Sequence, residues 1–224
     1  MFEFCASVLA ANHAHIARDV VKAESLGIRR FHFDICDGHF TRDIFFGPQL
    51  VQDVRKESAS FFDVHLAVYN MAPILDSFLN SGVNMINIQF ESCDAPGVLI
   101  NKIHANSLEA SISFSLASDF VEMQPYLETV EVVNLLAVNP GYGGQQFRIN
   151  VLKKIEMAAD YIHINNLKTK ISVDGGVNEY TIRDIIQAGA DIAIAGSGIF
   201  SGDIERNITV LQDATKESLQ HKEG

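Results

Sequence analysis

Phe31-His32-Phe33-Asp34-Ile35-Cys36-Asp37-Gly38-His39-Phe40 opens as a strand and closes as a turn. Side chains alternate along a strand, so His32, Asp34 and Cys36 share one face while Phe33 and Ile35 take the other. A face carrying an imidazole, a carboxylate and a thiol is costly to bury unless those groups are paired or metal-bound. Short β-branched or aromatic runs recur along the chain, each followed by a stretch with apolar spacing of three and four residues. Strands are expected at 2–8, 30–34, 60–66, 85–90, 110–115, 130–138, 170–173 and 191–195. Helices are expected at 13–26, 48–57, 71–81, 95–105, 120–127, 151–165, 180–188 and 204–218. Eight strand–helix units in 224 residues are the arithmetic of an α/β (β/α)8 TIM barrel, slightly compact beside the usual ~250, and the glycine-rich segments after its last strands make it one of the phosphate-binding type. A doubly wound sheet would need fewer units or more chain. With no linker or low-complexity tract, 1–224 reads as a single barrel domain whose last residues, His221 to Gly224, form a frayed tail.

Composition agrees with a large core and narrows the partners. Hydrophobic residues make up 47% of the chain, and 17 Lys and Arg against 28 Asp and Glu leave a net charge of −11. Nucleic acid is excluded as a partner, because phosphate contacts need clustered basic residues and the densest pairs are Arg29-Arg30 and Lys153-Lys154. No apolar run reaches the roughly 18 residues of a membrane span, so no membrane partner is expected. The start, Met1-Phe-Glu-Phe, lacks a basic region and reads as a strand, not a signal peptide. Cys5, Cys36 and Cys93 are scattered and in no metal or redox spacing, which points to a reducing compartment and a cytoplasmic protein.

Barrel enzymes carry their chemistry at the C-terminal ends of strands. The third expected strand ends Asp63-Val64-His65-Leu66 and the seventh ends Val173-Asp174-Gly175-Gly176. Two imidazoles, His32 and His65, and two carboxylates, Asp34 and Asp174, thus converge on one rim and suit a divalent ion such as Zn, Mn, Fe or Co. A lone His-x-Asp would read as well as a hydrogen-bonded core histidine; four such residues on three strands favour the metal. Glycine-rich segments trail the last strands: Asn139-Pro140-Gly141-Tyr142-Gly143-Gly144-Gln145, Gly175-Gly176 and Gly196-Ser197-Gly198. Backbone N–H groups in such loops can approach a phosphate that a side chain would block. Any one of them could be an ordinary turn, but three beside a metal site favour a phosphorylated substrate. His13, His15, His104 and His163 read as surface or capping residues. Phe45-Phe46 reads as packing under a loop, and Asp37 and His39 as shaping one.

These residues resemble the ribulose-phosphate 3-epimerase family almost end to end, from Ser7-Val-Leu-Ala-Ala through Ala195-Gly-Ser-Gly-Ile-Phe200. The most specific pieces are His32-x-Asp34-x-x-Asp37-Gly38-His39-Phe40, Phe46-Gly47-Pro48, Asp63-Val64-His65-Leu66, Val138-Asn-Pro-Gly-Tyr-Gly-Gly-Gln145 and Val173-Asp-Gly-Gly-Val177. The resemblance implies an isomerase of the pentose phosphate pathway that inverts C3 of a ketose phosphate, interconverting D-ribulose 5-phosphate and D-xylulose 5-phosphate. It implies His32, Asp34, His65 and Asp174 as metal ligands, with Asp34 and Asp174 also the acid and base. Ser7 and His65 would meet the sugar, and the three glycine loops with Ser197 would hold the phosphate. A homo-oligomer, dimer or hexamer, is implied as well. Inversion beside a carbonyl requires removing a proton from one face and returning one to the other, which two carboxylates can do while a cation stabilises the enediolate.

The chain departs from the family pattern around the pocket. Methionines usual there are replaced by Cys36, Ala67 and Leu136. The usual His-x-Glu of the fourth strand is Gln89-Phe90-Glu91, the usual Asp is Asn12, and the usual Val-Pro-Asn is Thr41-Arg42-Asp43. A roomier pocket opens a second expectation, a hexulose 6-phosphate such as D-allulose 6-phosphate, and a third, a paralogue that binds metal and sugar phosphate without turnover. A further expectation on this pattern is that Cys36 touches the metal or makes the site oxidation-sensitive. A decarboxylase or aldolase would want a strand-end lysine, and none is present.

Overall fold

A computed structural model of the chain describes residues 2–222. Its elements run β1 (Glu3–Ser7), α1 (Ile16–Ser25), β2 (Arg30–Asp37), β3 (Ile44–Phe45), α2 (Pro48–Arg55), β4 (Phe61–Ala67), α3 (Met71–Phe78), β5 (Met85–Gln89), α4 (Pro96–Ala105), β6 (Glu109–Phe114) and α5 (Phe120–Met123). They continue with β7 (Val132–Leu136), α6 (Val151–Ile164), β8 (Lys170–Asp174), α7 (Ile182–Ala188), β9 (Ile192–Ala195), α8 (Ser197–Phe200) and α9 (Ile204–Lys222). Eight parallel strands pair in the order β1-β9-β8-β7-β6-β5-β4-β2, and pairing of β1 with β2 closes the (β/α)8 TIM barrel.

Alternation along each strand sorts side chains into two cores. Outward residues such as Phe31, Phe33, Phe62, Ile86, Ile112, Val133 and Val173 are fully or almost fully buried against the helices. Each such side chain contributes about 1.5–3 kcal/mol of apolar transfer. Inside the barrel, Cys5, Met85, Val132, Ile192 and Ile194 form a small apolar plug. Beside it the lining is polar and largely satisfies itself. Ser172 Oγ donates to Asn134 Oδ1 at 2.7 Å, Asn134 Nδ2 to Ser113 Oγ at 2.9 Å, and Ser113 Oγ to Asn87 Oδ1 at 2.8 Å.

The expected strands and helices are all present, with boundaries moved by local causes. β2 runs to Asp37 because the short β3 pairs antiparallel with Cys36 and Asp37, a two-residue strand too short to leave a periodic signature. α1 begins at Ile16, not 13, because the preceding turn is tied by Asn12 Oδ1 accepting from Ala14 N and by Asp19 Oδ2 accepting from Asn12 N. α5 stops at Met123, and a tighter turn containing Pro125 follows, where proline cannot donate to a continuing helix. The tail expected from His221 is corrected in part: His221 and Lys222 belong to α9, and residues 223–224 lie outside the described residues. Among the described residues no helix is long and apolar enough to cross a membrane.

Candidate active site

Parallel register brings the polar strand ends together. Asp34 of β2 pairs with His65 of β4, His32 with Asp63, and Leu136 of β7 with Asp174 of β8. His32, Asp34, His65 and Asp174 each offer one ligand atom, and these atoms all lie within 4.8 Å of one another. His32 Nε2 is 3.4 Å from Asp34 Oδ1 and 4.0 Å from Asp174 Oδ2, while His65 Nδ1 is 3.4 Å from Asp34 Oδ1.

Hydrogen bonds on the far side of each ring decide what faces the cluster. His32 is fully buried, and its Nδ1 donates to Asp63 Oδ2 at 2.8 Å. Its Nε2 is left buried and without a hydrogen-bond partner, aimed at two carboxylates. Ser7 Oγ donates to Asp34 Oδ2 at 3.0 Å, which orients the carboxylate. The protein's own charges also drive the two acids apart. Burial opposes the charge of Asp34, but the His32 and His65 imidazoles outweigh it and hold Asp34 well below the usual carboxylate range. Asp174 is pushed up to about 6, first by burial and then by the Asp34 charge, against the pull of His32. Burial likewise opposes a charged His32, and Asp63 and Asp34 outweigh it and raise its pKa. Two carboxyls in one cavity whose surroundings push their proton affinities apart are the arrangement an acid–base pair needs.

Two ring nitrogens, one of them orphaned, and two carboxylates fit a divalent cation of the borderline type. A second group, Cys5, His32 and Asp63, also lies within 4.8 Å. There the facing atoms of His32 and Asp63 already share a hydrogen bond, and burial with the Asp63 charge pushes the Cys5 thiol up. It is the layer that orients His32 from below, as carboxylates behind ligand histidines do. Cys36 is not brought into either group, and burial with the nearby Asp34 charge pushes its thiol up to about 12, so it stays neutral.

The glycine loops form the opposite wall. One cavity is lined by Ser7, Asp34, His65, Ala67, Leu136 and Asp174 on the strand side and by Gly141, Tyr142, Gly143, Gly144, Gly175, Gly176, Gly196 and Ser197 on the loop side. His32 is buried beneath it, and Cys36 and Gly198, which the sequence also suggested for the pocket, do not line it. Gln145 braces the 139–145 loop, its Nε2 donating to Asn139 O at 2.7 Å and Tyr142 O at 2.9 Å. Gly176 has φ +69, and a Cβ there would land 2.7 Å from Phe147 Cα, so only glycine fits.

The remaining residues have structural duties. Asp37 Oδ1 accepts from the backbone of His39 and Phe40, and its Oδ2 from Tyr69 N at 2.7 Å, so it ties two rim loops. His13 bonds Leu9 O at 2.9 Å and packs on the rings of Phe45 and Phe46, and His104 pairs with Glu131 at 3.0 Å. Two residues had no role in the sequence-based reading. Asp63 is legible only as a neighbour on the His65 face, and Gln89 only as a departure from a motif; Gln89 Oε1 lies 2.7 Å from His65 Nε2.

Comparisons with known proteins bear on this site. The model of the ribulose-phosphate 3 epimerase family matches residues 3–200. The ribulose-phosphate 3-epimerase of Methanocaldococcus jannaschii is 33% identical over 98% of this chain and 93% of its own length. That of Escherichia coli K12 is 31% identical over 87% of each chain. Among solved structures, a 3-hexulose-6-phosphate synthase superposes with TM-score 0.69 at 16% identity, covering 95% of this chain and 99% of its own. A thiamine phosphate pyrophosphorylase from Pyrococcus furiosus gives 0.68 at 14%, covering 97% of each; both likenesses speak to the fold alone. With its family model matched over nearly the whole chain and relatives at this identity along most of their length, the protein belongs to the ribulose-phosphate 3-epimerase family, isomerases that act on carbohydrates.

Proposed function

We propose that this protein is a metal-dependent ketose-phosphate 3-epimerase that interconverts D-ribulose 5-phosphate and D-xylulose 5-phosphate. The observation that carries the reading is the pair Asp34 and Asp174 facing one cavity, their proton affinities driven apart, with glycine backbone as the opposite wall. His32, Asp34, His65 and Asp174 would hold one divalent ion (Zn, Mn, Fe or Co), whose positive charge when bound offsets that of the enediolate. Asp34 is the base that takes the C3 proton from one face, and Asp174 is the acid that returns one to the other; the roles reverse for the return reaction. Ser7 steadies Asp34 and meets the sugar, and His65 lines the same cavity. Backbone N–H groups of the segments at 141–144, 175–176 and 196–197, with the Ser197 hydroxyl, receive the phosphate and fix the sugar's orientation.

A second reading, epimerisation of a hexulose 6-phosphate such as D-allulose 6-phosphate, is favoured by Ala67 and Leu136, both on the cavity wall. A cytoplasmic homo-oligomer completes the proposal, and light scattering on the purified protein tests the assembly. Proton NMR in D2O with the metal-supplemented protein tests the chemistry. C3 deuteration and epimer formation with the pentulose phosphates alone are expected. Faster exchange with a hexulose 6-phosphate would establish the second reading, and no exchange with any of them would leave a sugar-phosphate-binding paralogue.

A further inference from the structure

Gln89 is the last residue of β5 and is fully buried inside the barrel. Its Oε1 lies 2.7 Å from His65 Nε2. Its Nε2 donates to Glu91 Oε2 and reaches toward Ser113 O at 3.4 Å. A carboxylate and a carbonyl oxygen only accept, so the amide can turn only its NH2 end toward them and must present oxygen to His65. That oxygen only accepts in turn, so Nε2 of His65 carries the proton. Protonated on both nitrogens, the ring also donates from Nδ1 to Asp34 Oδ1 at 3.4 Å; once neutral, it keeps the Nε2 proton and has its lone pair on Nδ1, facing the cluster. The opposite tautomer would point a proton at the cluster and set the Gln89 oxygen against a carboxylate.

The amide is itself held from outside. Glu91 Oε1 accepts from Ser115 N at 2.7 Å and from Ser118 Oγ. Burial works against the charge of Glu91, but the bonds from Ser118, Gln89 and Ser115 outweigh it and keep its carboxyl below the usual range. The direction of the hydrogen-bond chain is therefore set at the rim and transmitted inward.

We propose that Gln89, oriented by Glu91, is a positioning residue that locks His65 as its Nε2–H tautomer and so keeps Nδ1 available to the divalent ion. The ligand half of this rests on the function proposed above; the tautomer does not. Losing a partner behind a ligand histidine typically weakens metal affinity by roughly 10- to 100-fold.

Two readouts on the same proteins test it. Long-range 1H–15N NMR of the histidine side chains, in metal-free protein above the imidazole titration range, reads the tautomer of His65, assigned with His65→Asn. Competition of Co2+ or Zn2+ against a chromophoric chelator reads affinity. Wild type should show Nε2–H. Gln89→Leu should populate Nδ1–H and lower affinity about 10- to 100-fold. Glu91→Gln should shift both in the same direction by less, and it stands at the surface should the leucine variant fold poorly. The double variant Gln89→Glu with Glu91→Gln restores an acceptor toward His65 and a donor behind it, so it should recover both readouts, which a purely structural role would not. Nδ1–H in wild type, or tautomer and affinity unmoved in both single variants, would overturn the proposal. Wild type with Nε2–H that binds neither ion would overturn the metal-holding function and the ligand half, leaving the tautomer assignment standing.

Discussion

The two walls of the cavity are built on opposite principles. The strand wall holds side chains of particular type: β2, β4 and β8 carry His32, Asp34, His65 and Asp174, and the sheet register alone sets Asp34 beside His65. The loop wall is defined by side chains that are missing, with glycines at 141, 143, 144, 175, 176 and 196. Strand-mounted groups are oriented by ladders and by a buried layer behind them, whereas the loops offer backbone N–H groups whose only requirement is close approach. If the walls are as separate in function as in construction, changes in the first should remove turnover and changes in the second should weaken substrate binding.

The largest effect is expected from Asp174→Asn or Asp34→Asn, each lowering kcat about 10³-fold with KM changed only a few-fold, by steady-state kinetics and C3 deuteration. An equal loss divided into KM would break the comparison. Next comes a pH effect confined to the strand wall. Asp174 has a folded pKa of about 6 against an ordinary 3.8, so its contribution to stability is full below 3.8 and is lost as pH rises through 6. Chelator-treated protein should therefore carry a decline from this group on the order of 3 kcal/mol between those values. Denaturant titrations should find that decline absent in Asp174→Asn, and saturating metal should suppress it by favouring the charged carboxylate. An unchanged slope in the variant would show that Asp174 does not bind the extra proton.

On the loop wall, Gly176→Ala is expected to raise KM about ten-fold and destabilise by about 2 kcal/mol, because the new Cβ meets the Phe147 backbone at a positive φ. Isotope exchange with saturating substrate should remain near wild type. The smallest effect is expected from Gly144→Ala. Its φ is +75, but a Cβ there meets nothing within 4 Å, so only backbone strain of about 1 kcal/mol is added. A Gly144→Ala protein as impaired as Gly176→Ala would mean that the loop must move, not merely stay clear, since space at residue 144 is open.

Much of this was legible in the chain itself. Period-two and period-3.6 patterns are local properties, so eight strand–helix units could be counted without a contact map. Once they imply a barrel, the ends of its strands point to His32, Asp34, His65 and Asp174, and the structure does bring the four together. What escaped is what depends on partners distant in sequence. β3 exists only because Cys36 and Asp37 offer an edge for Ile44 and Phe45. Asp63 reads as a lone acid until it is seen 2.8 Å behind His32. Cys36 shares a strand face with His32 and Asp34, yet it stays outside the cluster, because facing inward does not bring a short side chain to the same centre.

The amino-acid sequence by itself determined the architecture, the rim and the kinds of group placed on it, because backbone periodicity and glycine spacing are written residue by residue. Only the tertiary structure decided how identical groups differ. Asp34 and Asp174 are the same residue, one held charged between two imidazoles and the other pushed toward its acid by burial and by its neighbour. His32 and His65 are likewise the same residue, presented through different ring nitrogens because Asp63 meets Nδ1 of the first and Gln89 meets Nε2 of the second. Protonation and tautomer are properties of the surroundings, and those surroundings are assembled from four separate strands.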